Sequence, residues 1–256
     1  MRTKISVSEI KHRNMILEPG DEEALAWYAK EETADSYVPL FVRTGQEAQA
    51  GAEEMLTSER PDAVPGKSEL PGQAAGAGGN EIHPGALRGT AMHRFMECID
   101  YGALAGNKAF TEVARQLEKL KSQGRIGSEA TALIDTKRVW RFLQSDLAER
   151  IIQAHNSGSL YREQPFVMGL PAREADPKID SGELVLVQGI IDLYFEEDGE
   201  LVLLDYKTDA VKEARELIAR YQTQMDLYAR ALAAATGKKV RQKLIYSFRL
   251  GELIEV

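Results

Sequence analysis

The stretch Val187–Asp209, VQGIIDLYFEEDGELVLLDYKTD, contains two apolar runs separated by Asp198-Gly199. An Asp-Gly pair between such runs predicts a β-hairpin with a two-residue loop, because a type I′ turn needs positive φ at both central residues. Positions equally far from that turn then pair across the hairpin. Asp192 and Asp205 are expected to lie directly opposite each other, with Lys207 on the same face as Asp205, two residues further on.

The opposite face of this hairpin is predicted to be apolar. Side chains alternate between the two faces of a strand, and in this register the second face carries Ile191, Leu193, Phe195, Val202, Leu204 and Tyr206. Such a face must be buried, so the hairpin is expected to be part of the core.

The two facing aspartates are costly, because two carboxylates with Cβ atoms about 5 Å apart repel each other. At an effective dielectric constant near 20 the repulsion is about 3 kcal/mol. A Mg²⁺ ion, which takes one or two carboxylates and keeps several waters, removes that cost. Two alternatives to a metal stay open: one aspartate points into solvent, or Lys207 alone neutralises the pair. The apolar surroundings and the lysine on the same face favour the metal.

Phosphodiester hydrolysis is the chemistry that fits a metal with this lysine. The metal would polarise a phosphoryl oxygen and lower the pKa of a bound water. Lys207 would position that water or stabilise the charge that develops on phosphorus. No covalent nucleophile is required.

The composition is typical of a globular protein of one large or two small domains, with 256 residues, 43% apolar and 28% charged. No apolar stretch is long enough to span a membrane and no secretion signal opens the chain, so we expect it in the cytoplasm. A single cysteine, Cys98, excludes an intramolecular disulfide and a four-cysteine iron–sulfur cluster. The PGKS sequence at Pro65–Ser68 lacks the first glycine of a phosphate loop, since that position is Pro61, so no ATP site is predicted.

The net charge of −8 does not exclude a nucleic-acid partner, because the charges are unevenly distributed. Lys207–Arg249 contains ten Lys and Arg against four Asp and Glu. Acidic residues elsewhere can be metal ligands while basic residues cluster on one face.

Three regions are predicted along the chain. Residues 1–60 form an N-terminal docking segment, partly irregular, in which Ile5–Asn14 is predicted to be a short helix capped by Ser6 or Ser8. Residues 61–87 form a flexible connector rich in glycine and proline. Residues 88–256 form the core, an α/β fold in which a mixed central sheet is flanked by helices.

Changes in hydrophobic period predict the elements of that core. Helices are expected at Thr90–Tyr101, Phe110–Ser122, Ser128–Ala154 and Ala214–Ala235. Strands are expected at Leu160–Met168, Glu183–Glu196, Glu200–Thr208, Lys239–Phe248 and Leu253–Val256.

These residues resemble a known family. VQGIID followed by LLDYKTD looks like the core of the PD-(D/E)xK nucleases, which have a restriction-endonuclease-like fold, in their RecB-like form. RGTAMHRFME (Arg88–Glu97) resembles the upstream histidine helix of that family, YREQPF (Tyr161–Phe166) its glutamate strand, and YQTQMDLYARAL (Tyr221–Leu232) its Q-x-x-x-Y helix. With KISVSEIK at the start, the match is close to the nuclease domains of AddA type, found in helicase-nucleases.

The resemblance implies a role for each matching residue. Asp192, Asp205 and His93 would be metal ligands, together with the main-chain carbonyl of Tyr206, and Lys207 would be the catalytic lysine. Glu163 would support the site through a water or a second ion. The residues implied to line the path of the DNA strand are Gln224, Tyr228 and Tyr221, although both tyrosines also fit an apolar core stripe.

The resemblance also implies a setting for the domain. The domain would cut single-stranded DNA, namely the 3′-terminated strand. It would use Mg²⁺, for which Mn²⁺ can substitute. A helicase region and an AddB subunit would be its partners during repair of double-strand breaks. Two further hypotheses stay open: a catalytically silent DNA-binding or scaffold domain of the same fold, and a stand-alone exonuclease of the family. Having one cysteine argues against the iron–sulfur variant of the latter.

Overall fold

The computed structural model describes residues 4–6, 40–42, 84–175 and 183–256. Its helices are α1 (Pro84–Cys98), α2 (Tyr101–Leu104), α3 (Phe110–Ser122), α4 (Ser128–Leu133), α5 (Thr136–Leu143), α6 (Asp146–Asn156), α7 (Ala172–Ala175) and α8 (Ala214–Thr236). Its strands are β1 (Lys4–Ser6), β2 (Leu40–Val42), β3 (Leu160–Pro171), β4 (Leu184–Glu197), β5 (Glu200–Lys207), β6 (Val240–Ser247) and β7 (Glu252–Glu255).

The described strands form one mixed sheet in the order β2-β3-β4-β5-β6-β7. The β3–β4, β4–β5 and β6–β7 pairs are antiparallel, whereas β2–β3 and β5–β6 are parallel. A parallel β5–β6 pair needs a crossover connection, and the 23-residue helix α8 supplies it. The predicted mixed sheet with flanking helices is confirmed.

The start of the chain corrects one prediction. Lys4–Ser6 is a strand that pairs in parallel with Leu186–Gln188 of β4, so Ile5 and Ser6 are not the beginning of a helix. Strand β4 has 14 residues and β5 only eight. The part of β4 that extends beyond β5 therefore has free hydrogen-bonding groups for β1. The remainder of the predicted Ile5–Asn14 helix lies outside the described residues, as does most of the 61–87 connector.

The hairpin between β4 and β5 has the predicted register. Glu197 pairs with Glu200 and Leu193 with Leu204, while Asp198 and Gly199 have φ of 54° and 80°. The regular ladder ends one position before the aspartates. There Asp192 Oδ2 accepts a hydrogen bond from the backbone N–H of Tyr206, at 2.8 Å, so Asp192 still lies beside the end of β5.

Two apolar clusters cover the two faces of the sheet. One contains the buried side chains of α1, α2, α3, α5 and α6 with Leu193, Phe195, Val202, Leu204 and Tyr206. The other contains those of α7 and α8 with Ile191, Leu201 and Leu203. The prediction that Ile191 lies on the same face as Leu193 was wrong, because the two side chains belong to different clusters. Glu163, opposite Asp192 in the β3–β4 pair, has φ of 45°, and the regular ladder is interrupted at this pair, so strict alternation of faces is not expected across it.

The helical layer confirms one predicted helix and divides another. The prediction of Phe110–Ser122 matches α3. The single helix expected at Ser128–Ala154 is instead α4, α5 and α6, because the side chains of Asp135 and Ser145 each cap a new helix. An N-cap residue needs a non-helical backbone, so each cap ends the preceding helix even though the apolar pattern continues.

Helix α1 also differs from its predicted bounds. It begins at Pro84, inside the predicted connector, and ends at Cys98, after which the Asp100 side chain caps α2. Proline is favoured in the first turn of a helix, where its missing N–H is not needed. None of the described helices is long and apolar enough to cross a membrane.

Candidate active site

Three residues from three elements form a group of possible metal ligands. His93 of α1, Glu163 of β3 and Asp192 of β4 each offer one ligand atom, and these atoms lie within 4.8 Å of one another. The helix brings His93 onto the sheet at the point where the β3–β4 ladder is broken, at Glu163 and Asp192.

The histidine fits a ligand role. His93 Nδ1 lies 3.3 Å from Asp192 Oδ2, yet this atom is buried and makes no directed hydrogen bond with any residue that the structure describes. A buried polar atom without a hydrogen bond is unusual in a folded protein and needs a reason. One imidazole nitrogen with two carboxylates is a donor set that suits a divalent cation. The residues present therefore fit a metal.

Backbone strain marks the second ligand. Glu163 is not glycine, but its φ of 45° lies in the left-handed region. Such a conformation costs of order 1–3 kcal/mol and tends to occur at functional sites. Burial, together with the nearby Asp192 carboxylate, raises the pKa of Glu163 to about 8.

His93 and Asp192 stabilise each other's charged form. Burial alone would lower the pKa of His93, but the Asp192 carboxylate outweighs it and raises that pKa to about 9. Burial likewise works against the Asp192 carboxylate, yet His93, Lys207 and the backbone N–H of Tyr206 lower its pKa overall. Asp192 is therefore ionised and His93 protonated when no cation is bound.

Asp205 lies next to this group rather than within it. Its Oδ2 is 2.5 Å from Lys207 Nζ, and its Oδ1 accepts a hydrogen bond from Gln224 Nε2 at 3.2 Å. The side chain is 2% exposed, and burial, with a contribution from Asp192, raises the pKa of Asp205 to about 6. The close lysine matches the alternative in which Lys207 neutralises an aspartate. Metal ligation by Asp205 stays a prediction, as does ligation by the Tyr206 carbonyl.

Lys207 is held on two sides. Its Nζ contacts Asp205 and also lies 4.2 Å from the centre of the Tyr221 ring. Burial would lower the pKa of Lys207, but the Asp205 and Asp192 carboxylates raise it, so the side chain is an ammonium group. The structure thus brings Lys207 to the site, as predicted.

Two residues that support Lys207 were not singled out from the sequence. Asp209 accepts hydrogen bonds from the Tyr221 hydroxyl at 2.8 Å and from Arg220 NH1 at 2.6 Å. This fixes the ring that faces the ammonium group. The sequence signal was present, since Asp209 ends the DYKTD motif and Arg220 directly precedes Tyr221.

The residues expected to line a DNA path lie inside the molecule. Gln224 and Tyr228 are 8% and 7% exposed, between α8 and the sheet, and the Tyr228 ring packs edge-to-face on Phe166 with centroids 5.5 Å apart. Burial raises the pKa of Tyr228 well above its usual value. Contact of these residues with DNA stays a prediction. In this structure the Gln224 side chain donates a hydrogen bond to the Asp205 carboxylate.

The fold is that of a nuclease family. Residues 72–253 match the PD-(D/E)XK nuclease superfamily, and the chain belongs to it. Three similar curated proteins are each the A subunit of an ATP-dependent helicase/nuclease. The protein of Lachnoclostridium phytofermentans is 38% identical over 207 residues, which cover 67% of this chain and 15% of that protein.

The other two proteins match this chain to a similar extent. The Syntrophomonas wolfei protein is 37% identical over 173 residues, 67% of this chain and 14% of that protein. The Clostridium botulinum (strain 657) protein is 39% identical over 173 residues, 66% of this chain and 13% of that protein. The resemblance to AddA-type nuclease domains is confirmed, and the chain spans only 13% to 15% of the length of these relatives.

Proposed function

We propose that this chain is a Mg²⁺-dependent exonuclease domain that hydrolyses phosphodiester bonds of single-stranded DNA, the 3′-terminated strand, during processing of double-strand breaks. The observation that carries the proposal is the group of His93, Glu163 and Asp192 beside the buried pair of Asp205 and Lys207. A histidine, three carboxylates and an ammonium group thus lie close together.

Each residue has a part in this proposal. His93, Asp192 and Glu163 would hold the cation, with Asp205 and the Tyr206 carbonyl as further ligands. A bound Mg²⁺ or Mn²⁺ ion would supply polarisation of a phosphoryl oxygen and a water of lowered pKa. The Lys207 ammonium, fixed by Asp205 and Tyr221, donates to the oxygen on which charge develops or holds the attacking water.

The proposal extends to partners by way of the relatives. Their name describes one subunit of a helicase/nuclease, and this chain covers only a small part of such a protein. We infer that a helicase region and an AddB subunit complete the complex, that the motor and its ATP site lie outside this chain, and that the complex works in the cytoplasm. No iron–sulfur cluster is part of the proposal.

A silent DNA-binding or scaffold domain is the main competing function. The strained Glu163, the buried His93 nitrogen and the buried Asp205 all cost stability, and a scaffold has no use for them. A stand-alone exonuclease would have the same site. A helicase region found in the same polypeptide would exclude that alternative.

Replacing Asp205 tests the proposal. We expect Asp205→Ala to abolish Mg²⁺-dependent cleavage of 3′-labelled single-stranded DNA. Circular dichroism should show an intact fold, because Lys207 keeps its contact with the Tyr221 ring and the apolar clusters on both faces of the sheet are unchanged. Asp226→Ala is the matched control, since Asp226 is on α8 but is half exposed and paired with Lys243. EDTA should stop the wild-type reaction and Mg²⁺ or Mn²⁺ should restore it. Cleavage by Asp205→Ala at the wild-type rate would refute the assignment.

A further inference from the structure

A cavity of about 330 Å³ lies at the C-terminal end of α1, apart from the ligand group. Its basic lining residues are Arg115 and Lys119 of α3, Arg125 of the following loop, and Arg162 of β3. Asp100 is the single acidic residue of that lining, and its carboxylate already accepts the backbone N–H of Ala103 as the cap of α2. The cavity therefore carries a net positive charge in a chain that is acidic as a whole.

Hydrogen bonds fix the walls of this cavity. The side chain of Gln116, which is 3% exposed, both donates to the carbonyl and accepts from the N–H of Asp100, at 3.1 and 2.8 Å. This double contact joins α3 to the turn after α1. A cavity with a fixed wall presents its charges without first having to order the chain.

The guanidinium groups are also fixed. Arg162 NH1 donates to the Ile99 carbonyl at 2.7 Å and lies over the ring of Tyr101, and Arg125 NH2 contacts Cys98 Sγ at 3.3 Å. Arg115 is different, because its guanidinium group donates two hydrogen bonds to the Glu112 carboxylate, and this carboxylate offsets much of its charge. Lys119, Arg125 and Arg162 therefore provide most of the remaining positive charge.

The cavity and the site share two elements, α1 and β3. Cys98 follows His93 by five residues on α1, which is about 7.5 Å along a helix. Arg162 directly precedes Glu163 on β3. The 3.4 Å rise per nucleotide along a B-form duplex is shorter than the step of an extended single strand, so about 7.5 Å along α1 corresponds to at most about two nucleotides.

We propose that this cavity binds a backbone phosphate of the DNA strand, one or two nucleotides from the phosphate held at the metal site. The proposal rests on the proposed function, which supplies the ligand. Guanidinium groups in a fixed arrangement, together with a nearby ammonium group, recognise a phosphate without reading the base, so contact here does not depend on sequence. A free mononucleotide offers the same phosphate chemistry and must be distinguished from a strand.

The test compares two lysines of α3 that undergo the same change of charge. Both lysines are exposed, but only Lys119 lines the cavity. Lys119→Glu therefore alters the cavity lining, whereas Lys121→Glu changes a lysine of the same helix outside that lining. Binding of the full 256-residue chain to a fluorescent oligothymidylate is measured by anisotropy in EDTA, where no cleavage occurs, at a series of salt concentrations.

Lys119→Glu should weaken binding about tenfold and reduce the slope of log K against log salt by about 0.7, the value for one phosphate of a single strand. Lys121→Glu should change affinity less than about twofold, because an exposed charge outside the contact is screened by salt. Equal affinities of both variants would overturn the proposal, and so would displacement of the oligothymidylate by an equal concentration of thymidine monophosphate. Loss of cleavage in Asp205→Ala is measured separately, so this proposal can fail while the nuclease assignment stands.

Discussion

At the residue scale, Lys207 shows how the fold controls one charge. An ammonium group that is 12% exposed needs partners. It finds the Asp205 carboxylate on its own strand and the face of Tyr221 on α8. The ring in turn is held by Asp209, so three side chains, Asp205, Asp209 and Tyr221, determine where the amine lies.

Substitution of Tyr221 separates the ring from its hydroxyl. A cation–π contact of a desolvated ammonium group is worth about 2 kcal/mol. We therefore expect Tyr221→Leu to lower kcat by roughly tenfold or more, while Tyr221→Phe, which retains the ring, stays within about threefold of wild type. Steady-state cleavage of single-stranded DNA measures both. An equal loss in the two variants would assign the effect to the Asp209 hydrogen bond and contradict the role of the ring.

At the element scale, the β4–β5 hairpin and the layer of short helices show opposite outcomes of prediction. The hairpin register followed from two residues, because a type I′ turn leaves no freedom in which positions pair. The division of Ser128–Ala154 into three helices depends on the caps at Asp135 and Ser145. Those caps lie inside a continuous amphipathic pattern, and the pattern alone does not show where the backbone leaves the helix.

The turn can be tested directly. Gly199 has φ of 80° with open space around its Cα, so Gly199→Ala introduces backbone strain without a clash. The left-handed conformation costs roughly 1–2 kcal/mol for a residue with a Cβ, and we expect urea denaturation to show a loss of about 1 kcal/mol. Gly106→Ala is the control, since Gly106 also has open space but no positive φ. Equal stability of the two variants would show that the turn does not depend on glycine.

At the scale of the whole molecule, the site makes stability depend on pH. Burial raises the pKa of Glu163 to about 8 and that of Asp205 to about 6. Burial opposes protonation of His93, but Asp192 raises its pKa to about 9. The folded chain thus holds these protons at pH values where the unfolded chain has released them. A raised pKa contributes stability at low pH that is lost as pH increases.

Without metal, the melting temperature is therefore expected to fall between about pH 5 and pH 9. Asp192, whose pKa is lowered, acts in the opposite direction only below that window. Glu163→Gln should flatten the decline up to about pH 8, whereas Glu118→Gln, on the exposed surface of α3, should leave it unchanged. Calorimetry in EDTA measures this, and a melting temperature that rises over this window would contradict the burial of these groups.

Addition of Mg²⁺ should counteract the fall of the melting temperature with increasing pH. A cation needs neutral His93 and ionised carboxylates, so binding releases protons and strengthens as pH increases. We expect Mg²⁺ to raise the melting temperature more at about pH 8.5 than at about pH 6, and His93→Ala together with Glu163→Gln to remove most of this difference. A larger shift at the lower pH would be inconsistent with ligation by these residues.

The sequence by itself determined the hairpin, its register and the alternation of helices and strands, because these follow from local backbone preferences and from side-chain period. The lysine followed from the hairpin register, and the motifs added the histidine and the glutamate through resemblance. Only the tertiary structure decided that Glu163 joins His93 and Asp192 while Asp205 turns to Lys207 and Gln224. That choice depends on a positive φ at Glu163, on the packing of α8 and on the balance of buried charges. These are interactions between residues far apart in the chain, and no local pattern encodes them.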